Sequence, residues 1–237
     1  MDKKKSVKVF LFTSYLPASY EVIKNLIDAK VELVGVIFSP KNIQRISWKH
    51  RINNIMHTAS FKEPRDILRK NNIPYSFIDK HNSIESQLIL KTSDADILLL
   101  YGTKIIRSDV LAIPKIGCLN AHSSLLPKYR GGKSEFWMLY NDETQYAGVT
   151  IHWVNPGLDD GDIFLQQPIQ VVDNDTVESL RKKSVPLAAK LFVEAIKNIE
   201  QGNIIRIPQD ESQATKFKWP TPEEINNFKM KYAKKRS

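Results

Sequence analysis

The chain has 237 residues, 42% of them hydrophobic, which suits one large domain with a proper core; twelve prolines and nine glycines exclude collagen-like or low-complexity organisation. No apolar run approaches the ~20 residues that span a bilayer, and Cys118, the single cysteine, excludes an internal disulfide and a cysteine-based metal cluster. The net charge of +9 sits at the ends: four lysines against Asp2 give residues 1–8 a charge of +3, and Lys229, Lys231, Lys234, Lys235 and Arg236 give residues 226–237 +5, so residues 9–225 carry about +1.

Solvated basic tails explain that distribution without a phosphate-tracking surface, so no nucleic-acid partner and no membrane partner are expected. A reducing, cytoplasmic setting is the expectation for a chain with one cysteine. The polar, lysine-rich start Met1–Lys8 leads into a short apolar stretch with no small-residue cleavage site, which reads as a first strand and not a signal peptide.

In chain order, Val7–Thr13 is predicted as a strand, Tyr20–Ala29 as a helix with Val22, Ile23, Leu26 and Ile27 on one face, and Val31–Phe38 as a second strand. Glu63–Lys70 reads as a helix, Tyr75–Ile78 as a strand, and Ile84–Lys91 as a helix. Asp96–Tyr101 is a continuous apolar run, as expected of a strand buried on both faces. This alternation predicts an open, mostly parallel α/β sheet covered by helices. The turn after the first strand, Ser14–Ser19, has no glycine, so the dinucleotide-binding fingerprint is absent there, and no Walker-type phosphate loop occurs.

Further on, Gly148–Val154 and Ile163–Val171 read as strands. Thr176–Ile199 reads as a long helix with Leu180, Leu187, Ala188, Leu191, Phe192, Ala195, Ile196 and Ile199 on one stripe, and Gly202 as its stop. Thr221-Pro222-Glu223-Glu224 has the pattern of a helix start, because the Thr and Glu side chains can satisfy orphan backbone N–H groups. The expected organisation is a catalytic domain over residues 1–202 and a short C-terminal extension over 203–237 that ends in a basic helix.

The chemistry concentrates in Gly117–Asp162. A short strand ends in Asn120-Ala121-His122, and alternation places Asn120 and His122 on one face. An amide donor beside an imidazole suits stabilisation of an oxyanion together with proton handling. Taken alone, the pair better fits a strand-end turn with a satisfied structural histidine. The run Asn155–Asp162 supplies carboxylates, Asp159 among them, that would orient His122; a solvated turn or a cation loop also fits, although EF-hand spacing is missing. His152 alternates with apolar neighbours and reads as structural or as a support behind the site residues. Trp48 among Arg45, Lys49, His50 and Arg51 reads as a solvated loop with one aromatic anchor.

The ordered set LNAHSSLLPKYRGG, GVTIHWV and GLDDGDI resembles the folate-dependent formyltransferase family, which includes glycinamide ribonucleotide, methionyl-tRNA and sugar-nucleotide formyltransferases. The similarity runs from about Ile97 to Val171, and the first ninety residues agree in layout more than in wording. The resemblance implies a Rossmann-like formyltransferase domain that uses N10-formyltetrahydrofolate as formyl donor and needs no metal. It places the catalytic residues at Asn120, His122 and Asp159. It places the folate pocket at Tyr101, Gly102, Thr103, Lys104, Ile105 and Ile106, and at Val154, Asn155, Pro156, Gly157 and Leu158. Asp160 stands where relatives often have Thr or Gly.

For the acceptor, the resemblance points three ways. Methionyl-tRNA enzymes of the family carry a further C-terminal barrel, and only 35 residues follow Gly202 here. Glycinamide ribonucleotide enzymes have a glycine-bearing phosphate loop after the first strand, which Ser14–Ser19 lacks. Sugar-nucleotide enzymes match this length, and Phe217 and Trp219 would offer a stacking face to a base, although both rings equally suit pinning the extension to the core. The expected acceptor is therefore a phosphorylated small-molecule amine, an amino sugar on a nucleotide. Glycinamide ribonucleotide and methionyl-tRNA are the alternatives, and a non-catalytic RNA-binding protein is the alternative of another class. A homodimer is left open.

Overall fold

The apolar run at Ile97–Tyr101 becomes the middle of a seven-stranded sheet in the computed structural model, which describes residues 6–39 and 62–235. The segment around Trp48 lies outside the described residues. In chain order the elements are β1 (Lys8–Thr13), α1 (Pro17–Asp28), β2 (Glu32–Phe38), α2 (Pro64–Lys70), β3 (Tyr75–Phe77), α3 (Ile84–Thr92), β4 (Ile97–Tyr101), α4 (Ser108–Leu111), β5 (Gly117–His122), β6 (Arg130–Gly131), α5 (Ser134–Tyr140), β7 (Gly148–Trp153), β8 (Ile163–Pro168), α6 (Val177–Glu200), β9 (Lys216–Phe217) and α7 (Pro222–Lys235). The sheet runs β3-β2-β1-β4-β5-β7-β8, parallel through β5, with β7 and β8 antiparallel; β6 and β9 form a separate short parallel ladder. The expected α/β, mostly parallel architecture is present.

Strand alternation divides the core. Val9, Leu11, Leu99, Leu119 and Ile151 face α1 and the stripe Ala188, Leu191, Phe192, Ala195 and Ile196 of α6. Phe10, Phe12, Leu98, Leu100 and Cys118 face the other way, against Leu90 of α3 and Val110 of α4. Truncating one such buried leucine to alanine costs roughly 2–5 kcal/mol. A third cluster, of Tyr129, Phe136, Trp137, Met138 and Ala147, lies beside the sheet.

Two local outcomes differ from the sequence reading, and a third agrees with it against a local obstacle. The strand expected to reach Val171 stops at Pro168, opposite Gly148 where β7 begins, with one further hydrogen bond from the Ile169 amide to the Ala147 carbonyl oxygen. Helix α5 (SEFWMLY) carries no amphipathic signal, because five of its seven residues are buried. Pro186 lies inside α6, where the buried stripe holds the helix through the lost hydrogen bond. The capping box at Thr221 forms as expected, with the Glu224 amide donating to Thr221 Oγ1 and the Thr221 amide to Glu224 Oε2.

Helix α7 is anchored. Phe228 packs on Phe136 and Tyr140, and Lys231 donates to the Tyr140 carbonyl and to Asp142. No described helix is long and apolar enough to cross a membrane.

His81 is 6% exposed, stacked on Phe12 with ring centroids 4.9 Å apart, and its Nε2 lies 3.3 Å from the Ile37 carbonyl. Burial pushes its imidazole down to about 4, against the pull of hydrogen bonds to the Ile37 and Thr13 backbone. Between the ordinary value near 6.5 and pH 4 the unfolded chain takes up a proton that the folded chain refuses, so stability falls as pH falls through that window. We expect His81→Phe to remove on the order of 2 kcal/mol of the stability difference between pH 7 and pH 5. Urea unfolding midpoints of both proteins at the two pH values check this.

Candidate functional site

Antiparallel pairing of β5 with β7 sets Asn120 opposite His152 and His122 opposite Thr150. All four side chains leave the sheet on the face of Cys118, because their strand neighbours Leu119, Ala121, Ile151 and Trp153 pack in the opposite cluster. His122 is buried, with Nε2 2.8 Å from the Tyr129 carbonyl oxygen and 3.2 Å from Ser134 Oγ. A carbonyl only accepts, so Nε2 carries a hydrogen and proton exchange falls to Nδ1. By the same logic His152 Nδ1, 2.9 Å from the Trp153 carbonyl oxygen, carries a hydrogen, and its Nε2 accepts from Asn120 Nδ2 at 3.0 Å. The amide nitrogen of Asn120 has two hydrogens, and this assignment leaves the second to donate elsewhere.

Asp159 closes the group from the loop after β7. Its Oδ2 accepts from the Gly131 amide at 2.8 Å and lies 3.5 Å from His122 Nδ1, while Oδ1 lies 3.6 Å from His152 Nε2. Burial pushes the Asp159 carboxyl up, but His122, His152 and the Gly131 N–H outweigh it and hold the group well below the usual carboxylate range. The loop can bring it there because Asp159 takes a left-handed conformation, φ 51°. Gly131, at φ 99°, is equally constrained: a Cβ would run into the Phe217 carbonyl oxygen.

The two stretches expected around folate leave β4 and β7. Ile106 is buried, and Val154 packs into the same apolar cluster, on the face of Asn120 and His122. Ile105 and Leu158 are exposed apolar side chains, and the space around Gly102, at φ 63°, is open. Asn155 Oδ1 accepts from the Gly157 amide at 3.0 Å, and the Asp160 carboxylate fills the space a Gly157 side chain would need. The geometry separates Phe217 from Trp219. Phe217 stacks between Tyr129 at 4.9 Å and Trp137 at 5.1 Å, whereas Trp219 is 72% exposed, with Lys133 Nζ 4.7 Å from its ring centroid. Among the described residues, no group of three or more His, Cys, Asp or Glu is placed to hold a metal ion.

Several members of the group escape a linear reading. His152 was read as structural or as a support and lies at Asn120; its alternation on β7 is visible in the sequence, but the register against β5 is not. The Tyr129 carbonyl and the Gly131 amide are backbone groups and leave no signature in side-chain identity.

The family model described as formyl transferase matches residues 9–196. A methionyl-tRNA formyltransferase of Kosmotoga olearia is 34% identical over 209 residues, which cover 87% of this chain and 63% of that protein. One from Caldicellulosiruptor saccharolyticus is 43% identical over 129 residues, covering 54% and 40% respectively. The chain thus spans less than two thirds of the length of either relative. Among solved structures, glycinamide ribonucleotide transformylase 1 from Symbiobacterium toebii superposes with a TM-score of 0.67 at 20% identity, covering 86% of this chain and 93% of that one. The N-formyltransferase from Helicobacter canadensis, in complex with folinic acid and dTDP-3-aminofucose, gives 0.66 at 19% identity, covering 94% and 79%.

Because its neighbours hold Asp159 ionised, its side-chain carboxyl 13C resonance is expected to stay flat as pH falls from 7 toward 3.5, where an ordinary exposed aspartate titrates near about 3.9. A midpoint near 4 for Asp159 would contradict the described pairing.

Proposed function

The chain belongs to the formyl transferase family, and from its site we propose that it transfers the formyl group of N10-formyltetrahydrofolate to a primary amine. The convergence of Asn120 and His122, both on β5, with Asp159 from the loop after β7 carries this reading. The exposed Ile105 and Leu158 and the open backbone at Gly102 suit a flat aromatic donor held by residues 101–106 and 154–158. When bound, the donor supplies an electrophilic formyl carbon. Asn120 offers its second amide N–H to the oxygen that gains charge as that carbon turns tetrahedral. His122 exchanges a proton at Nδ1, and the ionised Asp159 neutralises positive charge arriving on the ring. The described residues supply these donors without a metal ion.

For the acceptor, the relatives matched over most of this chain are named methionyl-tRNA formyltransferases. That favours the α-amino group of an aminoacyl-tRNA over the nucleotide-linked amino sugar expected from the sequence. Exposed Lys216 and Lys218 flank Phe217 on the segment that pairs with β6, where they suit phosphates. The amino-sugar reading keeps one specific observation, the open face of Trp219 beside Lys133, which suits stacking of a base. An intact catalytic group argues against a purely RNA-binding role.

His122→Ala and Asp159→Asn are each expected to lower kcat on the order of a hundredfold or more in a folded protein. Tetrahydrofolate release measured with each variant checks this, and near-normal turnover in either sinks the assignment. Offered methionyl-tRNA, glycinamide ribonucleotide and nucleotide-linked amino sugars in competition, the enzyme is expected to show its highest kcat/KM with the tRNA. Preference for a sugar, reduced by Trp219→Ala, would instead establish the second acceptor reading.

A further inference from the structure

Gln209 lies beyond α6, in the stretch expected to form a mere extension and outside the region matched by the family model. Its side-chain nitrogen donates to two backbone carbonyls of the Asp159 loop, those of Asp159 at 2.9 Å and Gly161 at 2.7 Å. Its Oε1 accepts from Arg130 Nε at 3.1 Å and Nη2 at 2.8 Å. Carbonyls only accept and a guanidinium only donates, so the amide has a single orientation and all of its hydrogen-bonding capacity is used. Arg130 is 0% exposed, and its remaining donors grip the Glu211 carboxylate, Nη1 at 3.0 Å and Nη2 at 2.6 Å.

The same segment is laced to the opposite wall of the site. Thr215 Oγ1 accepts from the Tyr129 amide at 2.8 Å, and the Thr215 carbonyl from the Arg130 amide at 2.9 Å. Between them these residues present the Tyr129 carbonyl to His122 and the Gly131 amide to Asp159. Asp159 is therefore gripped twice, at its carboxylate by β6 and at its peptide by Gln209. The second grip matters because a left-handed φ is disfavoured for a residue with a Cβ and persists only where its surroundings impose it.

We infer that Gln209, backed by Arg130, is a positioning residue that holds the Asp159 peptide so that its carboxylate reaches His122 and His152, and that residues 205–217 belong to the active site. The kinetic consequence rests on the formyl-transfer reading; the geometric one does not. Gln209→Glu keeps the shape and the contact with Arg130 but sets an acceptor against two carbonyls. Gln209→Ala removes the clamp, and Glu211→Gln weakens it from the exposed side.

In each variant, kcat for formyl transfer, KM for the donor, Tm and the imidazole 15N resonances of His122 and His152 are measured. Gln209→Glu is expected to lower kcat roughly 10–100-fold with donor KM within about threefold, because a misplaced catalytic group costs rate more than binding. The His122 and His152 resonances should move toward those of Asp159→Asn, and Glu211→Gln should move them the same way by less. Adding Gln209→Ala to Asp159→Asn should cause no further loss of kcat, since both act through one group. Native resonances and native kcat in a folded Gln209→Glu protein overturn the inference. So does a fall in Tm with the resonances in place, or an additive loss in the double variant. A wild-type enzyme inert toward every acceptor sinks the formyl-transfer reading instead, and the resonances then decide the clamp alone.

Discussion

Asp159 holds a negative charge in a place where only 16% of its side chain meets solvent. A buried carboxylate is expensive unless donors and positive charge surround it. Here the compensation comes from His122 and the Gly131 N–H, which arrive from β5 and β6, with His152 of β7 3.6 Å from the other carboxylate oxygen. The antiparallel turn of the sheet at β7 brings His152 to Asn120, and Asp159 lies within reach of both imidazoles.

The backbone around this charge is costly too. Tyr129 at φ 60°, Lys133 at φ 64° and Asp159 at φ 51° are all left-handed, at roughly 1–2 kcal/mol each for residues with a Cβ. The surroundings impose them. Tyr129 is stacked on Phe217, and its hydroxyl hydrogen-bonds Glu143 and Asn141; its amide is tied to Thr215, and Gln209 ties the Asp159 peptide. Phe217 thereby supports the wall that carries Tyr129 and Gly131, and the exposed ring of the pair is Trp219. Local strain of this kind clusters where the geometry of a few atoms must be held against the preference of the chain.

Acceptor choice and catalytic geometry draw on different parts of the molecule. The group around Asp159 is buried or half-buried, whereas Trp219, Lys216, Lys218 and Lys229 are exposed. Proteins with this fold include enzymes named for glycinamide ribonucleotide and for amino sugars, at about a fifth identity.

The sequence by itself determined the alternation of the main strands and helices, the buried runs such as Ile97–Tyr101, the cap at Thr221, and the presence of Asn120 and His122 on one strand face. These are legible because period-two and 3.6-residue patterns and capping side chains act within a few residues of themselves. Tertiary structure decided the rest. The pairing of Asn120 with His152 depends on a strand register 32 residues apart, and the Gln209 contact with the Asp159 carbonyl spans 50 residues. No local pattern encodes either distance. Helix α5 was missed because burial on every side erases the amphipathic signal that marks a helix in sequence. The boundary drawn at residue 202 followed the end of a helical stripe, but hydrogen bonds to β6 and to the Asp159 loop carry the chain back into the site, and those bonds exist only once the segment has folded against it.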